Sequence, residues 1–414
     1  MLSFATNFRK PYFEFNIMKI ARLSVKFLVV LTVLFSLNSA FAQEHAVAAS
    51  NDEGPVNTNQ EINDYIQHHI KDSHDFHLYS YTDAAGERHH VGFPLPVILW
   101  ASNGPVAFMS SAFHHDVNGE VVVEAGGSRF VNLHDKIYEL ENGADELVMG
   151  ADGHHPENAS KPLDFSISKS VFGILIIGLL MLFWFSSLAR QYKKKNIPTG
   201  FGRVLEPLVI YVRDEIAKPN IGDKYRKFTG YLLTVFFFIW ISNLLGLTPF
   251  GFNITGQIAV TAALAIFTLI IYTFSGTKDY WMHMLWMPGV PVLIRPVLAI
   301  IELAGAFLIK PFSLLVRLFA NISAGHIVVM SLIAIMITLK GELTPFGSTT
   351  LSFILSLFIT LIEVLVAFLQ AYIFTMLSAL FIGMAVADHV HDEHLHDAQG
   401  HDIEDTEASR REFI

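Results

Sequence analysis

An arginine deep in an apolar segment is the residue of this sequence with the clearest chemical meaning. The segment 310–325 reads KPFSLLVRLFANISAG, and no acidic residue lies within four positions of Arg317 on either side. An arginine at the centre of a membrane span costs about 2.5–3.5 kcal/mol, and it keeps its charge at any physiological pH. Long apolar flanks disfavour the alternative, an arginine that reaches the membrane interface. We therefore expect Arg317 to act through a fixed positive charge, with Asn321 one turn beyond it on the same helix face.

Three further polar residues lie at helical spacing in the two long apolar stretches near the C-terminus. Glu363 and Gln370 are seven residues apart, which is two helical turns, so they share one face. His326 follows Arg317 by nine residues, about 13–14 Å along a helix axis. A buried histidine and a buried glutamate on neighbouring helices can pass a proton, because their surroundings can tune both toward neutral pH. His326 alone would be read as a histidine satisfied by a backbone carbonyl, but together these residues predict a proton pathway.

The elements that must position these residues are membrane-spanning helices. Of the 414 residues, 52% are hydrophobic and 16% are charged, whereas a soluble globular protein carries about a quarter charged residues. The net charge of −10 is concentrated in the N-terminal third and the tail. The chain has no cysteine, which excludes disulfides, thiolate metal sites and cysteine catalysis. It also has no GxxxxGK loop, so no catalytic nucleotide site is expected in this chain.

Residues 161–388 form the predicted membrane domain. Its five apolar spans are expected at 165–188, 228–247, 258–274, 291–339 and 351–386. Residues 203–217 are too short and too mixed to cross, and their apolar positions repeat at helical spacing, which predicts an amphipathic helix on the membrane surface. The last two stretches are longer than a hydrocarbon core of about 30 Å requires, so each is either two pieces or one tilted and bent helix. The basic residues at 190–195 mark the cytoplasmic side of the first span.

Residues 1–42 are predicted to be a secretory signal peptide. From Met18 the chain has a basic start, a short apolar core and a small-x-small end at Ala42. A retained first transmembrane helix is the alternative, which the short apolar core disfavours. Residues 43–160 then form an exported, His-rich polar region. Strands are predicted there at 77–81, 91–100 and 119–123, and a helix at 59–71.

Most of the 19 histidines lie outside the spans, in pairs within 43–160 and in the tail 389–414, which opens on HVHDEHLH. Imidazole suits zinc and nickel, so a membrane-anchored metal-binding protein is one alternative. It leaves Arg317, Glu363 and Gln370 without a purpose, and we predict neither a metal site nor a cofactor. A second alternative is a secondary transporter in which Arg317 binds an anion. That class has internal repeats, and we find none in the membrane part.

Three motifs carry a resemblance to a known family. RLFANISAGH around Arg317 and LIEVLVAFLQAYIFTML from Leu361 resemble the two signature helices of subunit a of F-type ATP synthases, and SNLLGLTPF at 242–250 resembles that family's second span. The resemblance covers residues 165–390. It implies an all-α polytopic membrane protein with five transmembrane helices, a surface amphipathic helix, and last two helices that are long and tilted. The small exported N-terminal region, partly β, lies outside the resemblance.

The resemblance also implies a role for each polar residue. Arg317 matches the family's essential arginine, which faces the carboxylate of a rotor ring of c subunits. The residues that match the lining of the outer access route are Asn321, His326, Glu363 and Gln370. Some bacterial relatives have an acidic residue at the first position of the His–Glu pair and a histidine at the second, so this chain has the reverse order.

Glu302 corresponds to another acidic residue of the family. Its spacing to Lys310, eight residues, is one residue longer than the family's. The match of Glu302 to the family is therefore weaker than the matches of the other five residues.

The resemblance implies the stator subunit of the F0 proton channel, in which two offset half-channels load and unload protons on the c ring and so couple proton flow to rotation and ATP synthesis. The expected partners are the c ring, the b subunits and the rest of the F1F0 complex, together with membrane lipid and protons; no nucleic acid is expected. A sodium-coupled version stays open, because the c subunit would decide the ion. The expected location is the bacterial inner membrane, with the N-terminal region outside and the C-terminus in the cytoplasm.

Overall fold

The computed structural model describes residues 72–82, 88–114, 116–141, 144, 146–150, 156–194, 198–248, 252–287, 290–338 and 345–387. The predicted signal peptide, the predicted helix at 59–71 and the tail 389–414 lie outside these residues.

The N-terminal module, meaning the described residues of 72–164, is built from short antiparallel strands. These are β1 Asp75–Thr82, β2 Arg88–Pro94, β3 Pro96–Ala101, β4 Gly104–Met109, β5 Val123–Ala125, β6 Ser128–Leu133, β7 Lys136–Leu140, β8 Ala159–Ser160 and β9 Leu163–Asp164. They form three sheets with the orders β1-β2, β4-β3-β9 and β5-β6-β7-β8. Val97, Leu99, Phe130 and Ile137 are buried in the core of the module. The prediction that this region is partly β is confirmed.

The individual strand predictions differ in outcome. The strand predicted at 77–81 lies within β1, and the one predicted at 91–100 is divided between β2 and β3. The strand predicted at 119–123 is wrong except for its last residue, where β5 begins. The reason is a turn, because the Asp116 carboxylate accepts hydrogen bonds from the backbone N–H groups of Asn118 and Val121 at 2.8 and 2.7 Å. Gly119 adopts a φ of 82°, which suits glycine and not an extended strand.

The membrane part is entirely helical in its regular elements among the described residues. Its helices are α1 Lys169–Lys194, α2 Gly202–Tyr211, α3 Lys218–Ile221, α4 Tyr225–Gly246, α5 Ile258–Ser275, α6 Lys278–Leu285, α7 Arg295–Ala304, α8 Lys310–Thr338 and α9 Pro345–Val386. A π-helical segment, Val212–Ala217, joins α2 to α3, and another, Gly305–Ile309, joins α7 to α8. Five helical stretches are long and apolar enough to cross a membrane. This number confirms the predicted fold class.

The first span begins later than the sequence predicted, at Lys169 and not at 165. The residues before it extend the sheet, since the Phe165 N–H donates to the Ile98 carbonyl at 2.9 Å. The Asp72 carboxylate then accepts from the Ser170 N–H at 2.9 Å and satisfies a donor in the first helical turn. The backbone N–H groups of 165–167 therefore bond to β3 and to Asp164, outside the helix.

The two longest stretches are continuous helices and not pairs of shorter ones. Residues 295–338 run through α7, the π segment and α8 without a break, and α9 has 42 residues. A helix of that length measures about 63 Å, roughly twice the hydrocarbon thickness. Each can remain in a bilayer only by tilting, bending or projecting beyond it.

The predicted surface helix forms from α2, the π segment and α3. Its apolar side chains Leu205, Val212 and Ile216 are buried, and this helix contacts α4 and α9. It is separated from α4 by a turn in which Gly222 has a φ of 71°. The apolar face predicted at helical spacing is thus covered by other helices of the same chain.

The N-terminal module packs against one end of the helix bundle. The Phe76 ring lies 5.1 Å from Phe252, in the segment between α4 and α5, and 5.8 Å from Phe172 at the start of α1. We call this the module end.

Two hydrogen bonds define the opposite end of the bundle, the far end. Lys224 Nζ, just before α4, donates to the carbonyl of Val386 at 3.0 Å, and the Thr277 N–H, just after α5, donates to the carbonyl of Ala385 at 3.0 Å. The last turn of α9 is therefore held by the segments that flank α4 and α5.

Candidate functional site

Helices α8 and α9 pack against each other in antiparallel directions, and we call their contact the seam. At the far end, Lys310 Nζ lies 5.4 Å from the ring centroid of Phe381. Toward the module end, Gly325 faces the carboxylate of Glu363. These two contacts fix the register of the two helices. The seam brings the polar residues predicted from two separate stretches of sequence to neighbouring helices.

Glu363 is half-buried on α9, and it reaches α8 at a glycine. A Cβ atom placed on Gly325 would lie 2.7 Å from Glu363 Oε1, closer than van der Waals contact allows. The absence of a side chain at 325 therefore makes room for the carboxylate. His326 is the next residue of α8, so its backbone lies at the level of Glu363; its side chain is outside the described side chains.

Gln370 is buried, with 3% of its surface exposed. It lies two turns farther along α9 than Glu363, in the direction of the far end. The register of the seam places it level with the turn of α8 that carries Arg317 and Asn321. Glu363 and Gln370 thus lie on one face of α9, as predicted, but Gln370 is more deeply buried against the neighbouring helices than Glu363 is.

Arg317 and Asn321 are exposed on α8. Leu314 and Leu318, on the same turns of this helix, are 2% and 1% exposed and pack inside the bundle. Within the described part of the chain, Arg317 forms no ion pair. The guanidinium group therefore lies on an outer surface of the bundle, at the middle of the stretch 295–338.

A buried chain of hydrogen bonds reaches the seam from the module end. Thr255 Oγ1, just before α5, donates to Asn243 Oδ1 at 2.6 Å, and Asn243 Nδ2 donates to the carbonyl of Ala367 at 3.4 Å. Ala367 lies on α9 between Glu363 and Gln370. Asn243 belongs to the motif SNLLGLTPF, but the sequence alone predicts no role for it. Its position inside an apolar span was the available signal.

A second buried polar chain lies on the far-end side of Gln370. The Tyr231 and Thr268 hydroxyls are 2.7 Å apart, and Thr268 Oγ1 lies 3.5 Å from Ser378 Oγ. These residues come from α4, α5 and α9. The sequence predicts no role for these residues, because serine and threonine hydroxyls in apolar helices commonly donate hydrogen bonds to backbone carbonyls of their own helix. Ser378 also donates such a bond, to the Phe374 carbonyl at 2.8 Å.

Glu302 is exposed and is not brought together with the other five residues. It precedes Arg317 by fifteen residues, about 22 Å along a helix. The π segment Gly305–Ile309 lies between Glu302 and Lys310 and accommodates one more residue per turn than an α-helix. The tyrosine hydroxyl of Tyr272 donates to the Ala306 carbonyl within this segment. Burial and the nearby charge of Glu302 raise the pKa of Tyr280, on α6.

No group of three or more histidine, aspartate or glutamate side chains in the described part of the chain is arranged to hold a metal ion. The histidine-rich tail and the pairs at 68–69 and 154–155 are outside that part.

The fold and the seam define a multi-pass membrane protein with ionisable and amide side chains along its two longest helices. A family model described as ATP synthase A chain matches residues 171–383, and one described as a domain of unknown function (DUF8433) matches residues 65–165. The chain therefore belongs to the ATP synthase A chain family, which confirms the resemblance found in its motifs.

Bacterial relatives carry the name ATP synthase subunit a. The chain is 41% identical to "ATP synthase subunit a 2" of Chlorobaculum tepidum over 271 residues, which cover 62% of this chain and 73% of the relative. It is 39% identical to "ATP synthase subunit a 2" of Prosthecochloris aestuarii over 317 residues, which cover 72% of this chain and 93% of the relative. The segment from 161 to the C-terminus is shorter than that share of the chain, so this match extends into the N-terminal region.

Proposed function

We propose that this chain is the stator subunit of the F0 proton channel of a bacterial ATP synthase. Two offset half-channels would load and unload protons on the carboxylates of a c ring and couple proton flow to rotation and ATP synthesis. Its relatives' names support membership of F0. The c ring, the b subunits and the rest of the F1F0 complex are the proposed partners, and the chain itself supplies no catalytic nucleotide site.

The exposure of Arg317 is the observation that carries this proposal. The two long stretches are poorly covered by the rest of the chain. In the most apolar part of each, 11% is buried, whereas 50% is buried in the stretch that contains α4. A guanidinium group on such a surface would face hydrocarbon at a cost of about 2.5–3.5 kcal/mol. An acidic partner that covers α8 and α9 removes this cost, and a ring of membrane carboxyls has the required charge.

A fixed charge at this position explains both release of the proton and prevention of leakage. When a protonated carboxyl of the ring approaches Arg317, the guanidinium group stabilises the ionised form, so the carboxyl gives up its proton. The same positive charge repels a proton that would pass directly between the half-channels. Asn321, one turn away on the same exposed surface, can hydrogen-bond to the ring carboxyl as it passes.

The outer half-channel is proposed to run from the module end to the seam. Asn243 and Thr255 supply buried hydrogen-bonding groups on this route, and they lead to the α9 carbonyl between Glu363 and Gln370. His326 and Glu363 lie on the module-end side of Arg317. A proton that enters there would reach Glu363 before it meets the guanidinium group, driven by about 2.3 kcal/mol per charge for each 100 mV of membrane potential.

The proposed orientation places the module end outside the cytoplasm. The N-terminal module and the end of α9 lie at opposite ends of a bundle with five spans. The basic residues Arg190, Lys193 and Lys194 lie in the last turns of α1, at the far end, which the positive-inside rule assigns to the cytoplasm. A signal peptide at 1–42 would export the module. Glu302, on the far-end side of Arg317, would then serve the cytoplasmic half-channel if it takes part in transport.

Replacement of Arg317 by glutamine in the assembled complex tests the proposal. We expect ATP-driven acidification of inverted membrane vesicles to be lost, while assembly and the ATPase activity of the soluble sector persist. Arg295→Gln is the matched control, because that guanidinium group lies at the far end over the Trp286 ring, 5.0 Å from its centroid. Acidification at a near-normal rate in Arg317→Gln would show that the arginine is structural and would refute the proposed mechanism.

A further inference from the structure

One face of the β4-β3-β9 sheet is apolar although it is exposed. Along β3 the side chains alternate, with Val97 and Leu99 buried in the module core and Ile98 and Trp100 on the opposite face, 38% and 58% exposed. In an antiparallel sheet with one solvated face, these outer positions are usually polar. Burial of the core therefore does not explain the residue types on this face.

The neighbouring strands extend the same face. Cross-strand partners lie on one side of a sheet, and β3 pairs Trp100 with Pro105 on one side and with Leu163 on the other. Leu163 and Phe165 are 66% and 63% exposed. The apolar sheet face, as we call it, consists of Ile98, Trp100, Met109, Leu163 and Phe165.

This face is held beside the membrane by the fold. Phe165 is bonded to the Ile98 carbonyl and lies only four residues before Lys169, where the first span begins. The Lys169 N–H donates to the Ser73 carbonyl at 3.0 Å. The module and the first span are therefore joined by a backbone hydrogen bond in addition to the covalent chain. Exposed apolar side chains continue along α1 in the spanning surface, with Leu175 and Leu179 51% and 67% exposed.

We propose that the apolar sheet face rests in the interfacial layer of the bilayer at the module end. Its continuity with the membrane-facing side chains of α1 favours lipid as the occupant. Tryptophan and other aromatic side chains are favoured where hydrocarbon meets headgroups, and a face without charged side chains can enter this layer without a desolvation penalty. This inference depends on the membrane location of α1 and not on the proton path.

The dimensions of the sheet decide its orientation on the membrane. The six residues of β3 span about 20 Å, whereas each interfacial layer is about 5–8 Å thick. A sheet standing upright would leave Trp100 and Leu163 in water. The face can be covered as a whole only if the strands lie nearly parallel to the membrane plane, which makes the module a platform on the bilayer and not a projecting domain.

The chain has no cysteine, so a single spin label can be attached to it at a chosen position without removing any of its own residues, in a complex whose other subunits carry no reactive thiol. We would label Ile98→Cys, Trp100→Cys and Leu163→Cys in the assembled complex in lipid nanodiscs, after confirming that each variant still pumps protons. Lys136→Cys, at an exposed position of β7, is the control. Power saturation with oxygen, which concentrates in lipid, and with a nickel chelate, which stays in water, then reports the depth of each label.

We expect oxygen to relax the three face labels more than the nickel chelate does, and the reverse at 136. Stronger nickel relaxation at the face would place it in water, and protection from both reagents would mean that another protein covers it; either result overturns the proposal. Lipid contact at 98 alone would also overturn it, because the sheet would then be upright.

The native tryptophan gives a second measurement that needs no label. We expect brominated lipids to quench a smaller fraction of the total tryptophan fluorescence in Trp100→Phe than in the unmodified complex, since the variant loses one lipid-facing emitter. An unchanged or larger quenched fraction would show that Trp100 does not lie in lipid.

Discussion

Glu363 reaches the seam because position 325 carries no side chain. The carboxylate oxygen lies only 2.7 Å from the position that the Cβ of any other residue at 325 would occupy. A carboxylate at a helix–helix contact is normally excluded by packing, and here one glycine provides the space. The position of the acid on α9 is therefore set by a residue on α8.

Gly325→Ala is predicted to impair proton transport through displacement of Glu363. The Cβ forces the end of a flexible side chain to move, so the fold should be retained while the carboxylate leaves its place beside Gly325. We expect ATP-driven pumping to fall roughly tenfold, which corresponds to about 1.4 kcal/mol in the barrier.

Pumping in inverted vesicles measures this effect, with Gly230→Ala as the control. A Cβ on Gly230, within α4, would meet no atom within 4 Å, so that variant should pump normally. Equal rates in the two variants would show that the location of the carboxylate does not limit transport.

The sequence predicts candidate site residues, but only part of their arrangement follows from it. Seven-residue spacing correctly places Glu363 and Gln370 on one helix face, since that follows from helical geometry alone. The outward exposure of Arg317 and the bond from Asn243 to α9 depend on which helices become neighbours. Periodicity within one helix carries no information about those contacts.

Among the elements, the hydrophobic spans were the most predictable and their ends the least. A long apolar run must form a helix in a bilayer, because no other single segment satisfies its own backbone. The predicted beginning of α1 is wrong because Phe165 and Ile167 form backbone hydrogen bonds to β3 and not to the helix. Hydropathy does not reveal this pairing.

The π segment between α7 and α8 gives a physical account of the long spacing of Glu302. In a regular α-helix, residues eight positions apart are separated by about 80° around the axis, whereas residues seven apart are separated by about 20°. The wider turn at Gly305–Ile309 absorbs one residue. Glu302 and Lys310 can therefore lie on the same side of the helix despite the extra residue between them. A regular α-helix of 3.6 residues per turn would not place them there.

At the element scale we predict that Gly383→Ala disrupts the packing of the surface helix on α9. A Cβ at 383 would lie 1.9 Å from the backbone carbonyl oxygen of Asn220, and backbone cannot move aside as a side chain end can. Overpacking of this kind costs about 1–3 kcal/mol or more. The variant should show a lower temperature of thermal unfolding in detergent.

Gly178→Ala is the control for this measurement, because a Cβ at 178 on α1 would meet no atom within 4 Å. A Gly383→Ala protein as stable as this control would mean that α3 and α9 can separate without cost.

At the scale of the whole molecule, the module and the helix bundle are joined by aromatic packing and by partly buried polar contacts. Phe76 lies against Phe172 and Phe252, and Asp72 bonds to Ser168 and Ser170 at the start of α1. Disturbance of the module near β9 should therefore be transmitted to the beginning of the first span.

A further polar contact, between His74 Nε2 and Asp164 Oδ2 at 3.1 Å, makes the stability of the module depend on pH. Burial would raise the pKa of Asp164, but hydrogen bonds from His74 and Ser166 outweigh it and lower the pKa from 3.8 to about 2. Because the folded state favours the ionised carboxyl, its contribution is present above about pH 4 and is lost as the pH falls through about 2. We expect the protection of β3 and β9 amides from hydrogen exchange, measured relative to their intrinsic exchange rates, to decrease as the pH falls through this interval.

Asp164→Asn, which cannot ionise, should exchange faster at neutral pH and show a smaller change between pH 4 and 2. An identical pH response in both proteins would exclude Asp164 as the origin of the effect.

The outward position of Arg317 has a consequence for the life of the protein before it meets its partners. A free copy in the bilayer must draw water and headgroups toward the guanidinium group and thin the surrounding membrane. With Arg317 covered by the proposed acidic partner, assembled copies would be more stable in the membrane than newly inserted ones, and this difference would favour rapid incorporation over accumulation. Cellular quality control that senses charge within a membrane span could recognise orphan copies by this single side chain.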